Sequence, residues 1–322
     1  MNKNCYWVLF LIVLLPVYSV CSHATEKESM QTVIEKALEH ANNQSLILAK
    51  NVTALPGKLP KSIKNGKLET SSSDWWCSGF FPGTLWYLYE YSDDEEIGKY
   101  ATLLTERIEK EQYNKNTHDL GFMLYCSYGN ALRLTGKKVY KSILINGAKS
   151  LSTRYNPVVG CIRSWDFNKD KWQYPVIIDN MMNLEYLMWA YKETGDERFK
   201  TISVNHANKT MENQFRANYS CYHVISYSPE TGKVMVKGTH QGYSDESAWS
   251  RGQAWALYGY SMMYRETKNE KYLVQAKCIA DFILNHPRLP KDKIPYWNTE
   301  CVKGCFCWSY YSIGIDRNEP IC

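Results

Sequence analysis

Residues 177–211 read IIDNMMNLEYLMWAYKETGDERFKTISVNHANKTM. Two helices of different character are joined here. From Met181 to Lys192 apolar residues fall on almost every side, the mark of a helix buried all round. After a polar turn and a pair of charges, Phe199 opens a second helix that is apolar on one face only. Gly195 between them is the expected C-terminal stop of the first. The unit is an αα-hairpin in which an amphipathic helix covers a buried one.

The same unit recurs along the chain. SDDEEIGKYATLLTERI from Ser92, TGKKVYKSILINGAKSL from Thr135 and TKNEKYLVQAKCIADFIL from Thr267 repeat the polar turn, the charges and the aromatic, at Tyr100, Tyr140 and Tyr272. Ahead of them stand the more apolar segments Phe80–Tyr91, Leu120–Leu134 and Ala248–Glu266. Stacked side by side, such hairpins make an inner and an outer helical layer, so the expected class is all-α and the architecture an α/α toroid. Helix Met30–Ala49 and an outer helix ending near His286 bring the count to about nine, where a ring of six hairpins needs about twelve. The toroid is therefore expected to be incomplete at the C-terminus. Between Gln214 and Ser247 the period changes: Tyr222–Tyr227 and Lys233–Lys237 alternate around Pro229-Glu230-Thr231-Gly232, a β-hairpin insertion at the rim where inner helices begin.

With 322 residues the chain has room for about two domains. The repeat replaces these with one, over residues 25–298. A hydrophobic share of 44% excludes a disordered protein. The net charge of +5 is too weak to imply nucleic acid as a partner, although it admits an acidic substrate. Lys3, the uncharged apolar run Cys5–Val20 and Ser22-His23-Ala24 read as a cleaved export signal over residues 1–24. The run contains Pro16 and is shorter than the ~20 residues that span a bilayer. No other segment reads as a membrane span, so a periplasmic or otherwise exported protein is expected, and Cys21 offers a second reading as a lipid anchor. Cys77, Cys126, Cys161, Cys221 and Cys278 are scattered through apolar patterns as small buried hydrophobes. Cys301, Cys305, Cys307 and Cys322 crowd the tail 299–322 in a spacing unlike the usual zinc patterns, so no metal is expected.

The polar residues that look out of place sit where inner helices start: His118-Asp119, Asp179-Asn180 and Trp249-Ser250-Arg251-Gly252-Gln253. A toroid brings these starts to one mouth. The plainer reading of Asp119 and Asp179 is a helix N-cap, which would keep each ionised. To act as an acid, either needs an apolar wall, for which Trp75, Trp76, Trp165 and Trp249 are candidates, or a neighbouring carboxylate. His223 and His240, beside the β-hairpin, read as exposed surface histidines. Arg251, in an otherwise apolar helix, must face a carboxylate or an anionic ligand. Trp255 reads as core.

Four stretches carry a resemblance: DWWCSGFFPGTLWYLYE from Asp74, THDLGF from Thr117, IIDNMMNLEYLMWA from Ile177 and HQGYSDESAWSRGQAWALYGY from His240. In order, from roughly Met30 to Asn298, the chain resembles the unsaturated glucuronyl hydrolases, glycoside hydrolase family 88. The resemblance implies an α/α six-hairpin barrel. It also implies removal of a 4,5-unsaturated uronic acid from the non-reducing end of lyase-generated oligosaccharides, such as those from glycosaminoglycans. By motif, Asp179 matches the general acid/base and Asp119 a second essential aspartate. Trp76, His118, Trp165, His223, His240, Gln241, Trp249, Arg251 and Trp255 match positions that shape or contact the substrate site. Asp179 would protonate carbon 4 of the enol ether and then help deliver water to carbon 5, with no cofactor or metal. The nearest alternative enzyme is an unsaturated rhamnogalacturonyl hydrolase; the alternative of another class is a non-catalytic remnant that binds uronic acid sugars. After Ile294-Pro295-Tyr296-Trp297-Asn298 the chain departs from the family's pattern into TECVKGCFCWSYYSIGIDRNEPIC, without amphipathic period, and a frameshifted or truncated reading frame is the expectation there.

Overall fold

In the computed structural model, which describes residues 28–300, helical hairpins follow one another along the chain. The order is α1 (Met30–Thr53), strands β1 (Leu59–Lys64) and β2 (Lys67–Ser71), α2 (Phe80–Ser92) and α3 (Glu95–Glu106). A 3-10 turn (Glu109–Tyr113) leads to a π-helical stretch (Gly121–Gly129) that runs into α4 (Asn130–Thr135), followed by α5 (Lys138–Ser152). Then come β3 (Tyr155–Asn156), β4 (Cys161–Ile162), β5 (Tyr174–Ile177), α6 (Asn180–Thr194) and α7 (Glu197–Asn213). Strands β6 (Val224–Tyr227) and β7 (Val234–Gly238) precede α8 (Ser250–Thr267) and α9 (Glu270–Leu284). The chain divides into two units at His40/Ala41: the described part of the first is residues 28–40, and the second holds every later element. The signal segment 1–24, Cys21 and the tail beyond Glu300 lie outside the described residues. Among the described residues no helix is long and apolar enough to cross a membrane.

The polar turns of the repeat work as caps. Asp94 accepts from the amides of Glu96 and Ile97, Asp196 from Arg198, and Asn269 from Lys271, each satisfying amides that open an outer helix. Three residues after the cap position comes the first buried residue of the outer helix: Ile97, Tyr140, Phe199 and Tyr272. The aromatic thus holds this place in three hairpins. In the first, Ile97 takes it and Tyr100, one turn on, is half-buried, a correction to the aligned repeat. Each inner helix ends where the backbone turns left-handed: Asp93 after α2, Gly136 after α4, Gly195 after α6 and Lys268 after α8. Arg107 closes α1 from outside, its guanidinium donating to the carbonyls of Val52, Thr53, Leu55 and Lys58.

Four hairpins stand among the described residues: α2 with α3, the π stretch and α4 with α5, α6 with α7, and α8 with α9. Their inner helices pack in a row, α2 on the π stretch, that stretch on α6, and α6 on α8. Leu85, Leu124, Leu184, Leu187 and Ala256 are fully buried along this row. Each buried leucine contributes about 1.5–3 kcal/mol relative to exposure. The expected helix Leu120–Leu134 is not uniform. Its first half is wound as a π helix, where Asn183 on α6 accepts the amide of Phe122 at 3.1 Å. Close approach requires glycine here: a Cβ on Gly121 would lie 2.5 Å from Asn183 Oδ1, and one on Gly79 2.0 Å from Met123 O.

The expected β-hairpin is present as β6 and β7, but it is part of a three-stranded antiparallel sheet ordered β5-β6-β7. Strand β5, not read from the sequence, leads directly into α6. Pairing of Ile177 with Val224 sets the register, so the residues just beyond β5 lie beside those just before β6. Two further hairpins, β1-β2 and β3-β4, were likewise not expected.

Candidate active site

Register places Asp179, two residues past Ile177, against His223, one residue before Val224. His223 Nε2 lies 3.7 Å from Asp179 Oδ2. Strand β7 pairs Gly238 with Val224 and so returns the chain over the same ring. The amides of His240 and Gln241 donate to His223 Nδ1 at 2.9 and 3.2 Å. Since Nδ1 accepts, the ring proton is on Nε2, facing the carboxyl. Burial, reinforced by His240, Arg251 and His118, drives the imidazole pKa well below its usual value. His223 is a buried neutral donor, contrary to its reading as an exposed histidine; the three-stranded sheet covers it. His240 is exposed as expected, with its ring 5.3 Å from Trp165 and 5.6 Å from Phe167.

Asp179 is not a cap. It precedes α6 in helical conformation, its side chain takes no capping hydrogen bond, and Oδ2 has no hydrogen-bond partner among the described residues. Burial raises its pKa from 3.8 to about 7; Arg251 opposes the rise and the charge of Asp119 adds to it. The indole N–H of Trp255 sits beside the same carboxyl and lowers the pKa slightly. Its ring packs 5.4 Å from Phe122, which in turn lies 5.7 Å from Trp76. Trp255 is half-buried at this wall and not simply core. Asp119 accepts from the Thr117 hydroxyl at 2.7 Å and stands 3.2 Å from His118 Nε2. Its side chain, like that of Asp179, takes no bond from the helix amides; its hydrogen bond is to the Thr117 hydroxyl.

The α8 start supplies the cation. Trp249 is extended and bridges to Asn298, while Ser250 N–H donates to Trp297 O, which anchors the first turn. Arg251 lies over the Trp249 ring at 4.4 Å and the Trp76 ring at 5.3 Å, and donates to Gln241 Oε1 at 2.8 Å. Trp249 packs edge-on to His223 at 5.0 Å. Trp76, His118, Asp119, Trp165, Asp179, His223, His240, Gln241, Trp249, Arg251 and Trp255 thus form one connected constellation. Trp75 does not join it: it is exposed beneath the Lys61 ammonium, 4.5 Å from the ring centroid. The arrangement can present a neutral buried acid beside a second carboxylate, a fixed guanidinium and stacking rings. Among the described residues no group of three His, Cys, Asp or Glu side chains could hold a metal ion. A small open recess lined by Gln253, Phe282, His286, Leu289 and Tyr296 contains neither aspartate.

The sequence profile of Glycosyl Hydrolase Family 88 matches residues 55–266. The chain belongs to glycosyl hydrolase family 88. This family 88 chain is 51% identical over 224 residues to an unsaturated glucuronyl hydrolase of Formosa agariphila, covering 69% of this chain and 56% of that one. It is 34% identical to an unsaturated chondroitin disaccharide hydrolase of Streptococcus agalactiae, covering 82% of this chain and 66% of the relative. The crystal structure of an unsaturated glucuronyl hydrolase specific for heparin superposes with a TM-score of 0.78 at 50% identity, covering 82% of this chain and 71% of that one. The family 88 chain therefore spans a little over half the length of the Formosa agariphila relative.

Several residues that build the site went unread in the sequence. Ser164 accepts from Asn180 and from the Ile177 amide, and Arg154, buried, donates to Arg163 O, Lys115 O and Asp166. Nothing local marks these residues, because their partners are distant in the chain. Phe167, stacked on Trp165 at 5.0 Å and 11°, carries only the weak signal of an aromatic in a polar loop.

Proposed function

We propose that this protein is a glycosidase that removes a 4,5-unsaturated uronic acid from the non-reducing end of lyase-generated oligosaccharides. The observation that carries the reading is Asp179: a buried carboxyl held protonated toward neutrality, with an arginine beside it. Hydration of an enol ether needs an acid that is uncharged at the first step and a base at the second. Asp179 delivers its proton to carbon 4 of the double bond. The resulting carboxylate takes a proton from water as its oxygen bonds carbon 5. The hemiketal so formed opens and releases the rest of the chain. Arg251 meets the substrate carboxylate by charge-assisted hydrogen bonds, and the half-buried Trp76 and Trp165 offer faces for sugar rings. Asp119, with His118, adjusts the acidity of Asp179. The relatives' action on heparin-derived and chondroitin-derived unsaturated sugars supports glycosaminoglycan fragments as the substrate class.

The full six-hairpin toroid belongs to the same proposal: four hairpins account for the described inner row, and the relatives are longer. The apolar run Cys5–Val20 is read as directing export, with Cys21 as an optional anchor. The test is direct. Unsaturated disaccharides from glycosaminoglycan lyases absorb in the ultraviolet through the conjugated double bond, and turnover removes that absorbance. Loss of signal with the wild-type chain and not with Asp179→Asn is expected; equal loss with both overturns the assignment.

A further inference from the structure

A line of rings leads from the buried acid to solvent. His223, beside Asp179, has its ring 6.4 Å from that of Trp165, and Phe167 stacks on Trp165 at 5.0 Å with planes 11° apart. Burial falls along this line: Asp179 and His223 are buried, Trp165 is half-buried and Phe167 is 51% exposed. The exposed His240 flanks the outer end, its ring near both Trp165 and Phe167. The loop between β4 and β5 that carries these rings is tied down. Asp166 accepts from Arg154 at 2.8 Å and from Arg163 at 3.0 Å. Asn168 turns left-handed, at φ 51°, and its carbonyl accepts the amides of Lys171 and Trp172 at 3.2 and 2.9 Å. That turn brings Lys171 back beside the wall. Its ammonium stands 4.6 Å over the ring of the buried Trp172, which meets Trp165 edge-on at 6.5 Å. After burial, the charge of Lys171 is the next cause that lowers the pKa of His240, so the two are neighbours.

We propose that Phe167 and Lys171 form a specificity-determining subsite for the sugar next to the unsaturated one, whose ring lies along Phe167 and whose sulfate is read by Lys171. The inference rests on the proposed reaction for its geometry. An acid at Asp179 fixes the enol ether there, and only one sugar stands before that bond, so the leaving sugar must lie on the solvent side. The aromatic line runs that way. Among the described residues no carboxylate pairs with the Lys171 ammonium. An exposed cation held on an indole at the end of an aromatic wall suits an anion carried on a sugar ring, where it gains a charge-assisted hydrogen bond. The two residues contribute differently. Stacking on Phe167 is blind to charge, whereas Lys171 distinguishes a sulfated ring from a bare one. A lysine that merely shields Trp172 would make no such distinction.

Titration calorimetry on Asp179→Asn, which leaves the sugar uncleaved, tests this with unsulfated and singly sulfated unsaturated disaccharides from chondroitin and heparin lyases. At least one sulfated disaccharide should bind about five-fold or more tightly than its unsulfated parent at low salt, and the gap should narrow as salt screens the charge. Adding Lys171→Gln should close the gap while the unsulfated Kd stays within about two-fold, and Lys171→Arg should keep it open. Phe167→Ala should weaken sulfated and unsulfated forms alike by about three-fold or more, with recovery in Phe167→Tyr. No gap in the starting protein, a gap that survives Lys171→Gln, or equal weakening of both forms by Lys171→Gln overturns the role of Lys171. Unchanged binding in Phe167→Ala overturns that of Phe167. Turnover by the wild-type chain is followed separately. Sulfate-selective binding without any loss of ultraviolet absorbance would refute the proposed function and leave the subsite standing; turnover with no preference for sulfate would refute the subsite alone.

Discussion

At the scale of single residues, the pKa of Asp179 ties catalysis to stability. The folded carboxyl keeps its proton up to about 7, whereas an unfolded one releases it near 3.8. Between these values the native state binds the extra proton, so this group's contribution to stability falls as pH rises and is fully lost above about 7. The shift corresponds to at most about 4 kcal/mol. Asp179→Asn cannot ionise. It is expected to unfold at a higher temperature than wild type at pH 8 and at a similar one near pH 4, by calorimetry, while turnover falls by about 10²-fold or more. Activity of the wild type should decline as pH rises through about 7, as the acid form is lost. Arg251 supplies the largest force opposing that high pKa. In Arg251→Gln the alkaline limb of kcat/KM should therefore move to higher pH, and KM should rise by about ten-fold for the lost charge-assisted bond. A limb that shifts downward would contradict the electrostatic order drawn here.

At the scale of elements, the site depends on how closely the inner helices approach one another. Gly79, just before α2, sits against the π stretch, where a Cβ would fall 2.3 Å from Phe122 O and 2.0 Å from Met123 O. Backbone carbonyls cannot step aside as a flexible side chain can. Gly79→Ala is expected to lower stability by about 1–3 kcal/mol or more in urea titrations. Because Phe122 packs on both Trp76 and Trp255, substrate affinity should weaken as well. The apolar period of residues 120–134 was legible as a buried helix, yet its π winding was not. That winding accompanies a side-chain acceptor, Asn183, on a helix some sixty positions away, which periodicity does not see. Strand β5 was missed for a related reason. Tyr174-Pro175-Val176-Ile177 is a short apolar run buried at every position, with no alternation to tell it from a helix start.

Across the whole molecule, protection should be graded. The inner segment Met181–Ala190 is buried at seven of its ten positions and half-buried at the other three, whereas residues 30–40 of α1 are exposed or only half-buried. Hydrogen exchange should show the amides of α6 opening only with global unfolding and those of residues 30–40 exchanging by local fraying. Equal protection of the two would contradict the layered architecture. Free thiols fit the same picture. Burial pushes Cys77 up to about 11 and Cys126 to about 12, so these thiols stay protonated; of the five expected as buried, Cys161 and Cys221 are buried and Cys77, Cys126 and Cys278 only half-buried.

The order of buried and covering helices, with most of their caps and stops, was legible in the sequence, and so were many of the residues that gather at the site, though not Ser164, Arg154 or Phe167. These depend on local spacing: a period of 3.6, a capping side chain three residues ahead of a buried one, a glycine where the backbone turns left-handed. Only the tertiary structure decided what those residues are to one another. The bland reading of Asp179 as a cap, of His223 as surface and of Trp255 as core each failed because protonation and burial follow from neighbours brought in from distant segments. A strand register joining Ile177 to Val224 sets a neutral imidazole beside a carboxyl, and no pattern along one segment encodes that meeting.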